Sequence, residues 1–360
     1  MHPFLRRLLI SALAVAGSLL IAGVFVLLAG ANPLSAYYEI VQNGFGCTVT
    51  IGPHPLKFCA FFNTLAIMTP MLLTGLSAVV AFRTGFFSLG QAGQMLIGAA
   101  LASNIAVAFQ LPSLLHIVLT LLVGTVAGAG WAWIPALLRT RLGISEVLTT
   151  LIFNTLAGIL SGLVAGWGYV DPAVRLAPLA FNTKLNAGLF ISLIAGIAVY
   201  LYLWYSVPGY EQRMSGQAPL FATAAGIQPR IAGVRAMLIS GGLAGLAGAI
   251  EVLGVHYRFT FEFSGGGDFD GITVAILGQG HPMGVLIASF FLAGLRLASV
   301  TGLQMHLGIP RELGDVIIAV ALILITVLEL QDRTISTLVA AVRVRGVKRI
   351  ASDFPKDQRL

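Results

Sequence analysis

Residues 60 to 82 read AFFNTLAIMTPMLLTGLSAVVAF, an apolar run without one charged side chain, and Arg83 follows at once. As a helix rising 1.5 Å per residue, a run of this kind crosses the roughly 30 Å of hydrocarbon in a bilayer. Comparable runs lie near 8–31, 93–110, 114–138, 146–166, 188–206, 231–255, 283–301 and 313–330, and a shorter segment covers 271–280. Of the 360 residues, 57% are hydrophobic and only 10% charged, with a mean hydropathy of +0.92. A water-soluble chain carries about 25% charged residues, so most of this surface must face lipid. The expected fold is an all-α polytopic membrane protein of about ten transmembrane segments, one of them a short discontinuous helix. After Arg6 and Arg7 the apolar run continues to Ala31 with no small-residue cleavage site in a polar flank, which reads as a first membrane helix rather than a removable signal.

The charges orient the spans. With both termini cytoplasmic and ten crossings, the inside carries Arg6, Arg7, Arg83, Arg139, Arg141, Arg213, Arg230, Arg235, Arg333, Arg343, Arg345, Lys348, Arg349, Lys356 and Arg359, which is 15 of the 21 basic residues. Outside fall Lys57, Arg175, Lys184, Arg258 and Arg311, and Arg296 lies within a span. This asymmetry follows the positive-inside rule, and the net charge of +7 then needs no nucleic acid partner. Residues 1–332 read as one transmembrane domain, with a cytosolic segment at 207–230, and 333–360 as a basic cytosolic tail suited to anionic headgroups.

Both cysteines, Cys47 and Cys59, fall in or beside the stretch from Asn32 to Cys59, read as the first external loop. Either they form a disulfide there, or Cys59 is a free, buried apolar residue at a helix mouth. Asp171-Pro172 and Pro178 make Gly168 to Asn186 an irregular external loop. In the cytosolic stretch, Pro208-Gly209 and Pro229 bound a segment in which Leu220 to Gly226 fits a short surface helix. Gly-x-x-x-Gly spacing at Gly124/Gly128, Gly158/Gly162, Gly162/Gly166 and Gly241/Gly245 suggests close helix packing, tightest around Gly241, Gly242, Gly245 and Gly248.

No Gly-Lys-Ser/Thr phosphate loop and no His-Glu-x-x-His metal site occurs, and the six histidines lack the spacing of a metal site. Energy from ATP would therefore come from another polypeptide. Four stretches hold candidate residues. In the fifth span Glu146, Thr150 and Asn154 share one helical stripe, with Asn154 about 12 Å deeper than Glu146. Asn154 either lies on a solute path or makes an interhelical hydrogen bond; Glu146 either gates the cytosolic mouth or caps its helix. A second stretch, Gly265 to Gly271 followed by Ile272 to Leu277 and Gly278-Gln279-Gly280-His281-Pro282, is a span broken by Gly and Pro, with Asp270 as the cap of a half-helix. It is read as part of a solute path, against an external loop with a short packing helix. Third, Phe82 to Gln94 joins two spans with three glycines and two glutamines, and Gln94 either turns into the bundle or is an interface polar residue. The last is the cytosolic stretch itself.

At these places the sequence resembles the permease subunits of ABC importers, in the nucleoside and simple-sugar branch of the branched-chain amino acid and ribose permease family. Phe87-Ser88-Leu89-Gly90-Gln91-Ala92-Gly93-Gln94 is similar to the family's Phe-Asn-Ile-Gly-Ala-Glu-Gly-Gln, departing at Ser88 and Ala92, and its Ser-Leu-Gly-Gln is closer to the amino acid branch. Glu146, Val147, Thr150 and Asn154 match Asn-Glu-Val-x-x-Thr-x-x-x-Asn, while Ala236 to Ala249 and Phe269 to Gly278 are similar to the nucleoside branch. Arg213, Gly216, Pro219, Ala222, Ala225, Gly226 and Ile227 match the coupling segment, with departures at Ala218 and Phe221.

The resemblance implies a chain that binds no cofactor of its own and catalyses no reaction. ATP and Mg would be used by a partner ATPase, in whose groove the short helix docks, with Phe221 as an apolar anchor. It implies a second permease subunit, an extracytoplasmic solute-binding protein and, as solute, a nucleoside or simple sugar, moved along a path through Gln94, Thr150, Asn154, Phe269, Asp270 and Thr273. The alternatives are a branched-chain amino acid permease and an ion-coupled carrier. A carrier would place ionisable residues at mid-membrane, where Arg296 alone is noted.

Overall fold

The computed structural model describes residues 17, 20–21, 23–28, 30–48, 58–180, 183–261, 269–308, 310, 312, 314–316, 318–320 and 323. The basic tail 333–360, Arg6 and Arg7, and Gly265 to Asp268 lie outside the described residues. Two compact units divide the chain, residues 31–311 and a smaller one formed by 1–30 with 312–360. In the smaller unit the described residues of 20–28 and 312–323 are helical. The candidate site lies wholly within the larger.

The larger unit is almost entirely helical. Its elements are α1 (Pro33–Phe45), α2 (Ala60–Phe82), α3 (Gln91–Ala108), α4 (Ser113–Leu142), α5 (Glu146–Val164), α6 (Gly188–Tyr205), α7 (Val207–Gln217), α8 (Pro219–Ala224), α9 (Pro229–Glu251), α10 (Asp270–Leu277), α11 (Pro282–Ala298) and α12 (Met305–Leu307). Wider π turns extend α9 over Val252–His256 and join α11 to α12 over Ser299–Gln304. Among the described residues, six helices are long and apolar enough to cross a membrane: Ala60–Phe82, Ser113–Leu142, Glu146–Val164, Gly188–Tyr205, Pro229–His256 and Pro282–Leu307.

Burial sorts these helices into a centre and a periphery. The most apolar part of α2 is 83% buried and that of α9 78%, against 22% in α4, α5 and α6. Within the chain, α2 and α9 form the core, while the other three turn most of their apolar surface outward, as a lipid solvent permits. The centre closes through glycine. Methyl groups at Gly98, Gly128, Gly241, Gly245 and Gly248 would each overlap backbone of a facing helix, so α3, α4 and α9 meet main chain to main chain. The predicted tight cluster at Gly241 to Gly248 lies in this seam. Gly158 behaves differently, having open space beside it, and Gly162 faces the Phe261 ring. At these two positions no facing helix main chain comes close among the described residues, whereas Gly166, just past α5, abuts the main chain of Ser103 and Asn104 in α3.

Two local expectations are corrected. Within the supposed loop from Asn32 to Cys59 runs α1. Asn32 Oδ1 accepts from the Leu34 N–H at 2.9 Å and Pro33 occupies the first turn, a start signal for a helix. Ala36, Ile40 and Gly44 recur every four residues and bury the face that packs on α11 and the π turn after it. Beyond α1, Cys47–Thr48 and Phe58–Cys59 form a two-stranded antiparallel ladder in which Cys47 faces Cys59, and a disulfide joins them. The second correction concerns the stretch bounded by Pro208-Gly209 and Pro229, where a short helix was expected only at Leu220 to Gly226 and where α7 begins already at Val207. Ser206 Oγ accepts from the Gly209 N–H at 3.1 Å, and proline in a first turn loses no helical bond.

Candidate functional site

The broken span is a half-helix. α10 has eight residues, about 12 Å of rise, less than half of the about 30 Å core of a bilayer. Its depth is set by α2. Gly271 lies so close to Thr74 that a methyl group would sit 2.7 Å from Thr74 Cβ, and Thr74 precedes Arg83 by about 13 Å of helix. At the other end, Arg83 Nε donates to the Gly280 carbonyl at 2.9 Å. The half-helix therefore runs from the middle of α2 to its final turn.

Each end of α10 is fastened by an arginine. Asp270 was expected to cap it, but Phe269 occupies the cap position without a side-chain cap hydrogen bond. The Asp270 carboxylate, in the first turn, instead pairs with Arg296 Nη2 from α11. A guanidinium is the stronger partner for a buried carboxylate, and an acidic group in a first turn also suits the helix dipole. Phe269 is exposed, and the Thr273 hydroxyl donates to the Phe269 carbonyl at 3.1 Å. Gln279 and Gly280, at φ of 51° and 61°, turn the chain from α10 into α11.

The connector between α2 and α3 is held differently. Along the stripe of α5, Glu146 Oε1 accepts from the Phe87 N–H at 3.2 Å, Thr150 Oγ1 from the Leu89 N–H at 3.2 Å, and Asn154 Oδ1 from the Gly93 N–H at 3.0 Å. Asn154 Nδ2 donates back to the Leu89 carbonyl at 2.8 Å, and Glu146 Oε2 pairs with Arg139 Nε at 3.2 Å. Three residues four apart thus bind the main chain of a segment too irregular to satisfy itself. Gln94 is buried here, and its Oε1, like that of Gln91, meets no hydrogen-bond partner among the described residues.

In the segment 207–230, α7 is fixed by Arg235 Nη2, which bonds Glu211 Oε2 at 2.8 Å and the Pro208 carbonyl at 3.1 Å. Arg213 lies over the Trp204 ring at 5.4 Å, and Gly216 abuts the main chain of Arg83 to Gly85. Pro219 opens α8, Ala222 is buried, and Ala225 donates back to the Phe221 carbonyl. Gly226, at φ +80°, ends the helix with a conformation open to glycine. Leu220 and Phe221 remain outside, 88% and 59% exposed, on a helix with its other side anchored.

The family described as the branched-chain amino acid transport system permease component matches residues 60–326. The chain belongs to this family. It is 30% identical over 341 residues to the guanosine ABC transporter permease protein NupP of Bacillus subtilis, covering 89% of this chain and 93% of that one. It is similar also to the nucleoside ABC transporter permease protein NupB of Lactococcus lactis, at 29% identity with 89% and 91% covered, and to the glucose ABC transporter permease protein TsgB13 of Haloferax volcanii, at 28% with 87% and 86% covered.

In this permease the predicted path residues fall into two groups. Thr150, Asn154 and Gln94 attend the connector between α2 and α3, whereas Phe269, Asp270 and Thr273 belong to the half-helix on α2 and α11. Arg296 is not the lone ionisable residue of the spans. Glu251, fully buried near the end of α9, pairs with His256 Nε2 at 3.2 Å. A single glutamate inside an apolar run was the available signal, because such a group is costly there; its neighbours' hydropathy masked it. The exposure of Leu220 beside Phe221 was likewise passed over. Reading it needed the face of α8, which the short sequence alone does not define.

Proposed function

We propose that this chain is the membrane-spanning permease subunit of an ATP-driven importer that moves nucleosides across a bacterial cytoplasmic membrane. The observation that carries the reading is its likeness, over nearly the full length of both chains, to a guanosine permease. The orientation follows the charge asymmetry, with ten crossings, both termini cytoplasmic, and 333–360 as a cytosolic tail to the domain 1–332. Leu220 and Phe221 on α8 dock in a groove of an ATP-binding subunit, which uses ATP and Mg. A second permease subunit and an external solute-binding protein complete the assembly. Gln94, with Gln91 beside it, offers acceptor oxygens that a solute hydroxyl or N–H can fill, since buried acceptors normally find partners.

A simple sugar is the second reading, favoured by the likeness to a glucose permease. Uptake into proteoliposomes holding the complete transporter separates the cargoes. Labelled guanosine should accumulate with ATP and be displaced by other nucleosides but not by glucose or leucine. Displacement by glucose alone selects the sugar reading, and by leucine alone the amino acid one. Phe221→Asp should abolish co-purification with the ATPase while the permease still inserts; normal co-purification refutes the docking role.

A further inference from the structure

Arg83 touches both the docking segment and the turn that closes the half-helix. Its own main chain, with that of Thr84 and Gly85, is abutted by Gly216 of α7, where a methyl group would lie 2.8 Å from the Gly85 nitrogen and 2.9 Å from the Thr84 carbonyl carbon. Its side chain reaches the opposite way. Nε donates to the Gly280 carbonyl at 2.9 Å, and the guanidinium lies 5.4 Å from the centre of the Trp204 ring. The guanidinium of Arg213, from α7, lies at the same distance from that ring, and the His281 ring is 4.7 Å from it. Trp204 is therefore shared between the docking segment, Arg83 and the turn that follows α10.

We infer that Arg83 is a positioning residue that transmits movement of the docking segment to the half-helix. This rests on the docking role proposed above. Three physical features support it. The contact of Gly216 with the Arg83–Gly85 turn is backbone on backbone, with no side chain to flex between them, so displacement of α7 must move the turn. The Gly280 carbonyl belongs to the turn that closes α10, where a cation is favoured by the helix dipole. That turn also holds Gln279 at φ of 51°, a left-handed conformation disfavoured for a residue with a Cβ, which persists when surrounding contacts hold it. Exchange of the Arg83 bond alters the balance of contacts on this turn and lets α10 shift, giving the two arrangements that coupling between sites requires.

The test uses the complete transporter in proteoliposomes, measuring solute molecules taken up per ATP hydrolysed together with co-purification of the ATPase. Arg83→Gln should leave assembly and basal ATP hydrolysis intact while uptake per ATP falls about tenfold, within the range typical of coupling between two sites. Arg83→Lys keeps a donor and a charge but not the planar stacking face, and should recover part of the ratio. If Arg83→Gln does not reach the membrane, Trp204→Leu removes the shared ring and should lower the ratio in the same direction by less. An unchanged ratio in the variant that assembles overturns the inference, as does loss of ATPase association, which would make Arg83 a docking residue only. Failure of the unsubstituted transporter to move any solute would instead refute the importer reading, so the two failures are distinct.

Discussion

The connector at 83–94 and the half-helix at 270–277 are both interruptions of helical order, and they are secured by opposite means. The connector is stitched along its length by an acceptor stripe on one neighbour, Glu146, Thr150 and Asn154, mostly through uncharged hydrogen bonds to main chain. The half-helix packs its apolar side chains on α2 and α11, and its two ends are tied by guanidinium groups from different helices, Arg296 and Arg83. A segment bonded at Phe87, Leu89 and Gly93 to one helix moves with that helix. One whose polar ties lie at its ends can change its tilt when those ties exchange partners. The difference marks α10 as the part suited to rearrange and the connector as part of the frame.

Removing an end grip should have the largest effect. Arg296→Met leaves the Asp270 carboxylate without its guanidinium and should lower stability by about 3 kcal/mol, since breaking one side of a buried pair is strongly destabilising. Thermal unfolding in detergent reads the loss, and Asp270→Asn in the same chain should restore a large part of it. No restoration would break the comparison, making the pair incidental. Asn154→Leu removes two bonds and strands the Leu89 carbonyl and Gly93 N–H, costing about 2 kcal/mol, with uptake impaired while the complex still assembles. Unchanged uptake kinetics would leave Asn154 as a packing residue of the frame.

Glu146→Gln keeps an acceptor for the Phe87 N–H but loses the charge facing the half-exposed Arg139. It should cost about 1 kcal/mol or less, as expected of a partly solvated pair. Thr150→Val removes one hydroxyl from the middle of the stripe and should cost about 1 kcal/mol, the smallest effect on transport. Equal losses from Thr150→Val and Arg296→Met would erase the distinction between stitched and end-held segments.

Much of this was legible from residue order. The apolar runs gave most of the helices to within a few residues, because span length follows from rise per residue and bilayer thickness. The broken span was legible as well, since Gly278, Gln279, Gly280 and Pro282 do not continue a helix. α1 was not, because its modest length and mixed composition lack a membrane signal, although Asn32-Pro33 announced its start. At α10 the sequence suggested Asp270 as a cap, and a partner 26 residues later claimed it. No local pattern reports such a competition.

By itself, then, the sequence determined that the chain is a multi-pass membrane protein and which stretches depart from regular helix, since each depends on composition and spacing along one strand of chain. Tertiary structure decided which departures are hydrogen-bonded through their main chain and which carry their side-chain polar ties at their ends. It turned Asn154 toward the connector main chain, set Arg296 against Asp270, and joined Gly216, Arg83 and Gly280 across three separate regions. Those partners lie up to 197 residues apart, and a polar group buried among helices takes its role from whichever donor or acceptor packing brings within reach.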